Sequence, residues 1–416
     1  MYKVESSGAL VRAHRTLTSR RTRRRVAPTV LLLGICSLLT DISSEMVATV
    51  LPLYLVSTLG FTPLQYGIVD GLYQGAAAFV RLAGGFIGDR RRKHKGVATF
   101  GYGLSAVCKL ALAAVGSAFG AISAIIVFDR AGKGLRTAPR DAMISMSSRE
   151  EDLGASFGIH RALDTTGALL GPLVAFGLLA LAPGAFDSLF LVSFCFAAAG
   201  VGVIVLLVRE PARKEPVAPK DPVRLRDSFA LLRGRRFRGL FVAATALGLA
   251  TASDGFIYLL LQQQLELDPM LFPLLFTGTA ATFMALAAPV GRLADRIGRG
   301  RVMLGGYALL LGVYVTLLGP STGIAGLFIA LFMLGAYYAA TDGVLMALGS
   351  GLVTEDLRGS GLALLGTGVS ASRLVASILF GALWTLAGIQ LALAVFAGGL
   401  VVAMLLAAVV LRSSRA

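Results

Sequence analysis

Charge is scarce in this chain. Only 15% of its 416 residues are Asp, Glu, Lys or Arg, against 56% that are hydrophobic. A soluble domain of this length needs far more polar surface, which argues against that class. Tryptophan occurs once, and histidine and cysteine three times each. Cys36, Cys108 and Cys195 fall in separate apolar stretches, with no spacing for a metal site or a disulfide. Only His160 lies inside an apolar run, and no H-E-x-x-H or second ligand at zinc spacing accompanies it, which argues against a metalloenzyme. A phosphate loop is lacking too, since Gly132-Lys133-Gly134 has none of its context, so ATP hydrolysis is not expected to supply energy. The expectation is a chain with no enzymatic activity, cofactor or metal.

Long apolar runs are what the chain has. Its mean hydropathy is +0.77. Runs of about 20 residues recur from Pro28 to Leu411, each able to cross a hydrocarbon core of roughly 30 Å at about 1.5 Å per residue. They are continuous rather than alternating, which argues against spanning strands. Only a helix satisfies every backbone group inside such a run. Hydropathy places helices near 28–56, 65–88, 96–116, 120–142, 154–181, 187–208, 239–262, 270–291, 301–318, 323–347, 360–385 and 388–411. The expected fold is an all-α membrane protein of twelve transmembrane helices, with both termini on one side.

The net charge of +16 could suggest nucleic acid, but its placement points elsewhere. Basic residues cluster at Arg20–Arg25, at Arg90–Lys95 and through the 209–238 stretch, whereas the alternate loops 57–64, 117–119, 182–186, 263–269, 319–322 and 386–387 have no Lys or Arg. That asymmetry is the positive-inside pattern, so both termini and the middle segment are expected in the cytoplasm, with some attraction to anionic lipid. No nucleic-acid partner is expected. Two local patterns mislead. Ser19-Arg20-Arg21 before an apolar run resembles a twin-arginine signal, but no small-residue cleavage site follows. Gly366-Thr-Gly368-Val-Ser-Ala371 matches a dinucleotide fingerprint as a string, yet no strand precedes it, so helix packing explains it.

An internal repeat organises the chain. Pro63 and Pro269 each precede a span, Gly85-Phe-Ile-Gly-Asp89-Arg90 matches Gly291-Arg-Leu-Ala-Asp295-Arg296, and Glu151-Asp152-Leu153 matches Glu355-Asp356-Leu357. The expected units are a disordered basic tail at 1–27, a six-helix bundle at 28–208, a linker at 209–238, a second six-helix bundle at 239–411 and a short tail at 412–416. Duplicated halves with a midplane site between them are a transporter arrangement.

With these motifs, residues 28–411 resemble the major facilitator superfamily. Gly85-x-x-x-Asp89-Arg90 with Arg92-Lys93 is similar to its cytoplasmic loop signature, repeated at Gly291-x-x-x-Asp295-Arg296-x-Gly298-Arg299. Arg130-Ala-Gly-Lys-Gly134 resembles the fourth-helix motif. Gly158, Gly167, Gly171 and Pro172 resemble the fifth-helix pattern of drug/proton antiporters, although the closing Gly-Gly pair is here Ala175-Phe176. Asp41-Ile-Ser-Ser-Glu45-Met46 and Leu135–Ala142 are similar to stretches in a group of bacterial members. The resemblance implies two pseudo-symmetric bundles, a monomer, a bacterial inner (plasma) membrane and no cofactor. It also implies gating contacts from Asp89 to the helix beginning near Ser360 and from Asp295 to the one beginning near Gly154, where unpaired N–H groups favour an acid.

Charges inside the spans mark the pathway, since each costs at least about 2.5–3.5 kcal/mol at the bilayer centre. Counting about 1.5 Å per residue, Asp41, Lys109 and Arg373 lie roughly 20 Å into their spans and Arg130 about 15 Å. Glu45 shares a face with Asp41, and His160 shares one with Asp164; Arg161, Asp129, Lys133 and Asp254 are further candidates. Asp70, Arg81 and Asp342 are shallower and read as interfacial. Two carboxylates on one face repel when both are ionised, so a proton held between them responds to any cation that moves nearby. The leading expectation is a proton-coupled exporter of small molecules; the alternative is an importer of a small polar metabolite or organic anion, bound by Lys109, Arg130 and Arg373. Fixed ion pairs that merely hold the N-terminal half together are the structural alternative for these charges.

Overall fold

The computed structural model describes residues 27–91, 94–210, 230–319, 323–354 and 357–413, with side chains described throughout except at 77–79, 81–91, 150, 358–359 and 412–413. The expected tail and most of the expected linker therefore lie outside the described residues. Thirteen α-helices run through the described residues: α1 Pro28–Leu53, α2 Pro63–Arg91, α3 His94–Ala114, α4 Phe119–Ser147, α5 Leu153–Leu181, α6 Phe186–Gly202, α7 Arg235–Leu249, α8 Asp254–Gln264, α9 Phe272–Ile297, α10 Arg299–Leu318, α11 Gly323–Ser350, α12 Arg358–Ala387 and α13 Ile389–Ser413. Pro28 and Pro273 sit at helix starts, where proline's missing N–H costs nothing. Pro52, Pro139, Pro172 and Pro289 lie inside helices. Helices α1 and α6 each end in a π turn, at Tyr54–Thr58 and Val203–Leu207.

The seventh span differs from expectation. Residues 239–262 read as one run, but α7 and α8 are separated by a non-helical stretch at Ala250–Ser253. Breaking a helix at membrane depth frees backbone groups that need partners. Tyr314 of α10 supplies them: its hydroxyl accepts from Ala252 N–H at 2.8 Å and donates to the Ala250 carbonyl at 3.0 Å. Counting α7 and α8 as one crossing, the described helices make twelve. Ten of these pass as membrane spans on length and composition, among the described residues. Helix α4 has the length, 29 residues, but its charges lower its hydropathy.

Packing repeats between the halves. In the first, α1 lies against α5 and α6, α3 against α4 and α6, and α2 against α4. In the second, α7 lies against α12 and α13, α10 against α11 and α13, and α9 against α11. The chain is thus two pseudo-symmetric six-helix bundles. They meet along α2–α12 and, less extensively, α5–α9.

The α2–α12 contact seals the end of the molecule that lacks basic loops. Small residues let the backbones touch: a Cβ on Gly71 would lie 2.8 Å from the Leu374 carbonyl oxygen, and one on Gly67 or Gly381 would collide with the facing backbone. Thr385 Oγ1 accepts from Leu64 N–H at 2.9 Å, and Ser377 Oγ donates to Asp70 at 2.7 Å across the same seam. Tyr66, Phe256, Phe380 and Trp384 stack beneath it, Tyr66 edge-on to Phe256 at 4.8 Å. Asp70, expected to be interfacial, is a buried seam residue instead, because the partner bundle covers it. At the opposite, basic end the described residues form no such seam: Gly154 meets open space and Asp295 is exposed.

Candidate functional site: buried charges and the cavity between the halves

Helix α4 carries Asp129, Lys133, Arg136 and Arg140 at spacings of four, three and four residues, which puts them on one face. Asp129 is the hub of a buried ion cluster. One of its carboxylate oxygens takes Lys109 of α3, with Ser105 Oγ at 2.5 Å; the other takes Arg130, whose Nε lies at 3.0 Å. The Arg130 guanidinium also stacks on the Tyr73 ring of α2, 4.0 Å from its centroid. Lys109 is 2% exposed and Arg130 4%. Both cations are therefore bound and covered, as a fixed cluster joining α2, α3 and α4 would be.

Farther along the same face lies a second cluster, built on a pair of acids. Asp41 of α1 stands 3.7 Å from Arg136 and within hydrogen-bonding reach of Asp164 of α5. Arg140 and Arg161 flank Asp164 at 3.8 and 3.5 Å, and Arg140 binds Asp141 at 2.9 Å. His160 bonds Ser37 Oγ at 3.0 Å, and Ser37 in turn reaches Tyr102 and Arg140. Arg136 lies over the Tyr102 ring at 4.6 Å, and one of its buried guanidinium nitrogens has no hydrogen-bond partner. So Asp41 and Glu45, which share a helix face, have different surroundings: Asp41 faces the interior of the first bundle, whereas Glu45, one turn on, faces the other bundle.

Glu45 lines a cavity of about 330 Å³ between the halves, together with Asp254 and Asp342 of the second bundle. The rest of its wall is mostly aromatic and aliphatic, with Tyr258, Phe276, Phe283, Met284, Leu169 and Tyr338, and it includes Thr49, Thr165 and Thr279. Tyr338 donates a 2.6 Å hydrogen bond to Asp254, which sits in the first turn of α8, where the helix dipole favours an acid. Among the described residues, no Lys or Arg nitrogen comes within 4.0 Å of Glu45, Asp254 or Asp342. A second chamber, about 660 Å³, continues toward the basic end and shares Asp342. Arg161 of the first half and Arg373 of the second line it. Arg373 reaches Tyr337 Oη at 3.5 Å, and its buried Nε has no partner among the described residues.

Of the expected gating residues, Gly85, Asp89 and Arg90 have side-chain positions outside the described residues. Asp295 binds Arg299 on its own bundle at 2.9 Å rather than the start of α5, and Arg299 also donates to the Ala347 carbonyl at 3.0 Å. Gly291 meets open space, and Arg296 is exposed. Of the α5 glycines, Gly167 and Gly171 touch α1: a Cβ on Gly171 would lie 2.7 Å from Glu45 Cβ and 2.8 Å from the Ile42 oxygen. Gly158 faces open space, and Pro172 lines the cavity wall.

Sequence reasoning singled out neither Arg136 and Arg140 as site residues nor Tyr338 and Tyr102 at all. The first two were detectable, because the four-three-four spacing on α4 marks a charged helix face. Tyrosines that partner buried acids carry no such signal.

A helical membrane protein of two six-helix halves, with ionisable side chains gathered at their interface, has the build of a transporter. The sequence matches the model of the Major Facilitator Superfamily over residues 33–274 and 240–416, and the chain belongs to that family. An uncharacterised MFS-type transporter of Methanocaldococcus jannaschii is 30% identical over 374 residues, 87% of this chain and 89% of that one. An uncharacterised Mycobacterium bovis protein is 30% identical over 233 residues, 53% of this chain and 55% of its own. Among solved structures, the nucleoside transporter NupG superposes with a TM-score of 0.77 at 18% identity, covering 92% of this chain and 99% of its own. The peptide transporter POT, solved as a point mutant, gives 0.74 at 15% identity, covering 94% and 95%. The chain is a multi-pass membrane transporter and not an enzyme.

Proposed function

We propose that this chain is a proton-coupled exporter, moving a small, partly apolar molecule with a positive or hydrogen-bond-donating group by alternating access. The observation that carries this reading is the trio Glu45, Asp254 and Asp342, drawn from both halves, facing one aromatic cavity with no cation within 4.0 Å among the described residues. An acid that lines such a cavity with no cation beside it favours a proton or a bound cation. Protons and a cationic substrate then compete for the same carboxyls, and competition at a site exposed alternately to the two sides is exchange. Asp41 and Asp164, one helix face away, are a second pair of neighbouring acids, where one proton would be shared. The α5 pattern of Gly158, Gly167, Gly171 and Pro172, similar to drug/proton antiporters, favours export. The basic loops favour an inner membrane with both termini in the cytoplasm, contact with anionic lipid and a cavity open to the cytoplasm in this conformation. The protein is expected to act as a monomer.

A polar-metabolite importer is the second reading, and Arg373 is the observation in its favour. It has lost ground as an anion site built on three cations, since Lys109 and Arg130 are covered by Asp129 and Tyr73. The neighbours carry nucleosides and peptides by their names, which keeps polar cargo in view.

The test is reconstitution in liposomes with a trapped pH dye and an imposed proton gradient, with a panel of lipophilic cations, organic anions and nucleosides. Proton movement driven by a cation or amine, and lost in Glu45→Gln and Asp254→Asn, supports the proposal. Proton-independent exchange of an anion, retained in both variants, would refute it.

A further inference from the structure

The two chambers between the halves are oppositely charged, and they adjoin at Asp342. Glu45, Asp254 and Asp342 line the deeper chamber; Arg161 and Arg373 line the one nearer the basic end; Asp342 borders both. A cavity built for a simple cation would gain nothing from two guanidiniums on its path, because like charge repels the cargo. If Arg373 served only to neutralise the acids, it would be expected to pair with one. Yet among the described residues no carboxylate oxygen comes within 4.0 Å of it. Its weak 3.5 Å bond to Tyr337 leaves the guanidinium's remaining donors available, and its buried Nε has no partner among the described residues. A guanidinium's fixed fork of donors matches a carboxylate or another oxyanion, and an unfilled buried donor is a cost that a ligand oxygen would recover. Arg161 approaches from the opposite half, 79% exposed in the chamber and tied only at 3.5 Å to Asp164.

We infer that the substrate is a zwitterion, with its amine among Glu45, Asp254 and Asp342 and its oxyanion between Arg161 and Arg373. This rests on the interface cavity being the transport site, and deepens the reading above by naming the cargo class. Arg161 and Arg373 belong to different halves, so an oxyanion held by both would draw α5 and α12 together at the basic end. Binding and closure of that end would then be one event, as alternating access requires.

The experiment is direct binding to the purified full-length protein, using matched trios of probes: phenylalanine, its methyl ester and 3-phenylpropanoate; and phenylalanyl-alanine with its methyl ester and deamino analogue. The expected result is that at least one zwitterion binds tenfold or more tightly than both analogues of its trio, and that Arg373→Gln brings it down to the level of its ester. Arg161→Gln, at an exposed position, is expected to remove part of the same preference. The inference is overturned if no zwitterion outbinds its ester, or if Arg373→Gln weakens ester and zwitterion by the same factor. Flux with the trapped dye separates the two ideas. A zwitterion preference without proton movement would sink proton exchange and leave this inference standing; proton exchange driven equally by the esters would do the reverse.

Discussion

Replacing Asp129 by asparagine should unfold this protein far more readily than replacing either of its cations. Asp129 binds Lys109 and Arg130, which are 2% and 4% exposed. Asn keeps the size of the side chain but removes the charge, which leaves two positive groups close together in a covered site. Breaking a buried ion pair by removing one partner costs about 3–5 kcal/mol. For 416 residues, an unfolding entropy of about 2.1 cal/mol/K per residue turns that into roughly 3–6 °C of melting temperature. Helices that persist in the unfolded membrane state lower the entropy, so the observed shift should be at least that large. Lys109→Met is the contrasting change: it leaves Asp129 and Arg130 as a neutral pair, still bonded by Ser105, so no uncompensated buried charge remains and the cost should be smaller. The assay is thermal unfolding of the purified protein in detergent, followed by tryptophan fluorescence and by size exclusion. If Asp129→Asn melts at the wild-type temperature, or if Lys109→Met is the worse of the two, the charge-hub reasoning is wrong and the cluster is open to water.

Two further outcomes test the seam and the acid pair. Gly71→Leu places a side chain where a Cβ already lies 2.8 Å from the Leu374 oxygen, so it should weaken closure of the uncharged end by about 1–3 kcal/mol, one to two powers of ten in population. Spin-label distances between Leu59→Cys and Ala387→Cys should lengthen in that variant; an unchanged distribution would show that α2 and α12 do not form the gate. Asp41→Asn and Asp164→Asn should each flatten the pH profile of transport, and the double variant should do no more than either single, because one proton is held jointly. Losses that simply add would mean two independent carboxyls.

Twelve spans and a two-fold repeat were legible because each long apolar run has one stable form in lipid, and because duplicated motifs at a constant offset need no contacts to be seen. The one misread span, 239–262, failed for a physical reason. Hydropathy averages over a window, and the four residues Ala250–Ser253 do not change that average, while the partner that lets the helix break there, Tyr314, lies on α10. Reading depth from residue counts flagged Asp41, Lys109, Arg130 and Arg373 as buried, but depth says nothing about neighbours. Lys109 and Arg130 read as mobile cations until Asp129 is seen between them, and Asp70 reads as interfacial until α12 covers it.

By itself the sequence determined how many times the chain crosses the membrane, that it repeats, and which charges must lie inside, since each of these follows from the cost of exposing backbone or charge to hydrocarbon. Which acids share a cavity, which are tied to arginines, and which end is shut were decided only by the tertiary structure. Those properties depend on angles between helices and on pairs such as Asp41 with Asp164, 123 positions apart in the chain, and no local pattern encodes such a pair.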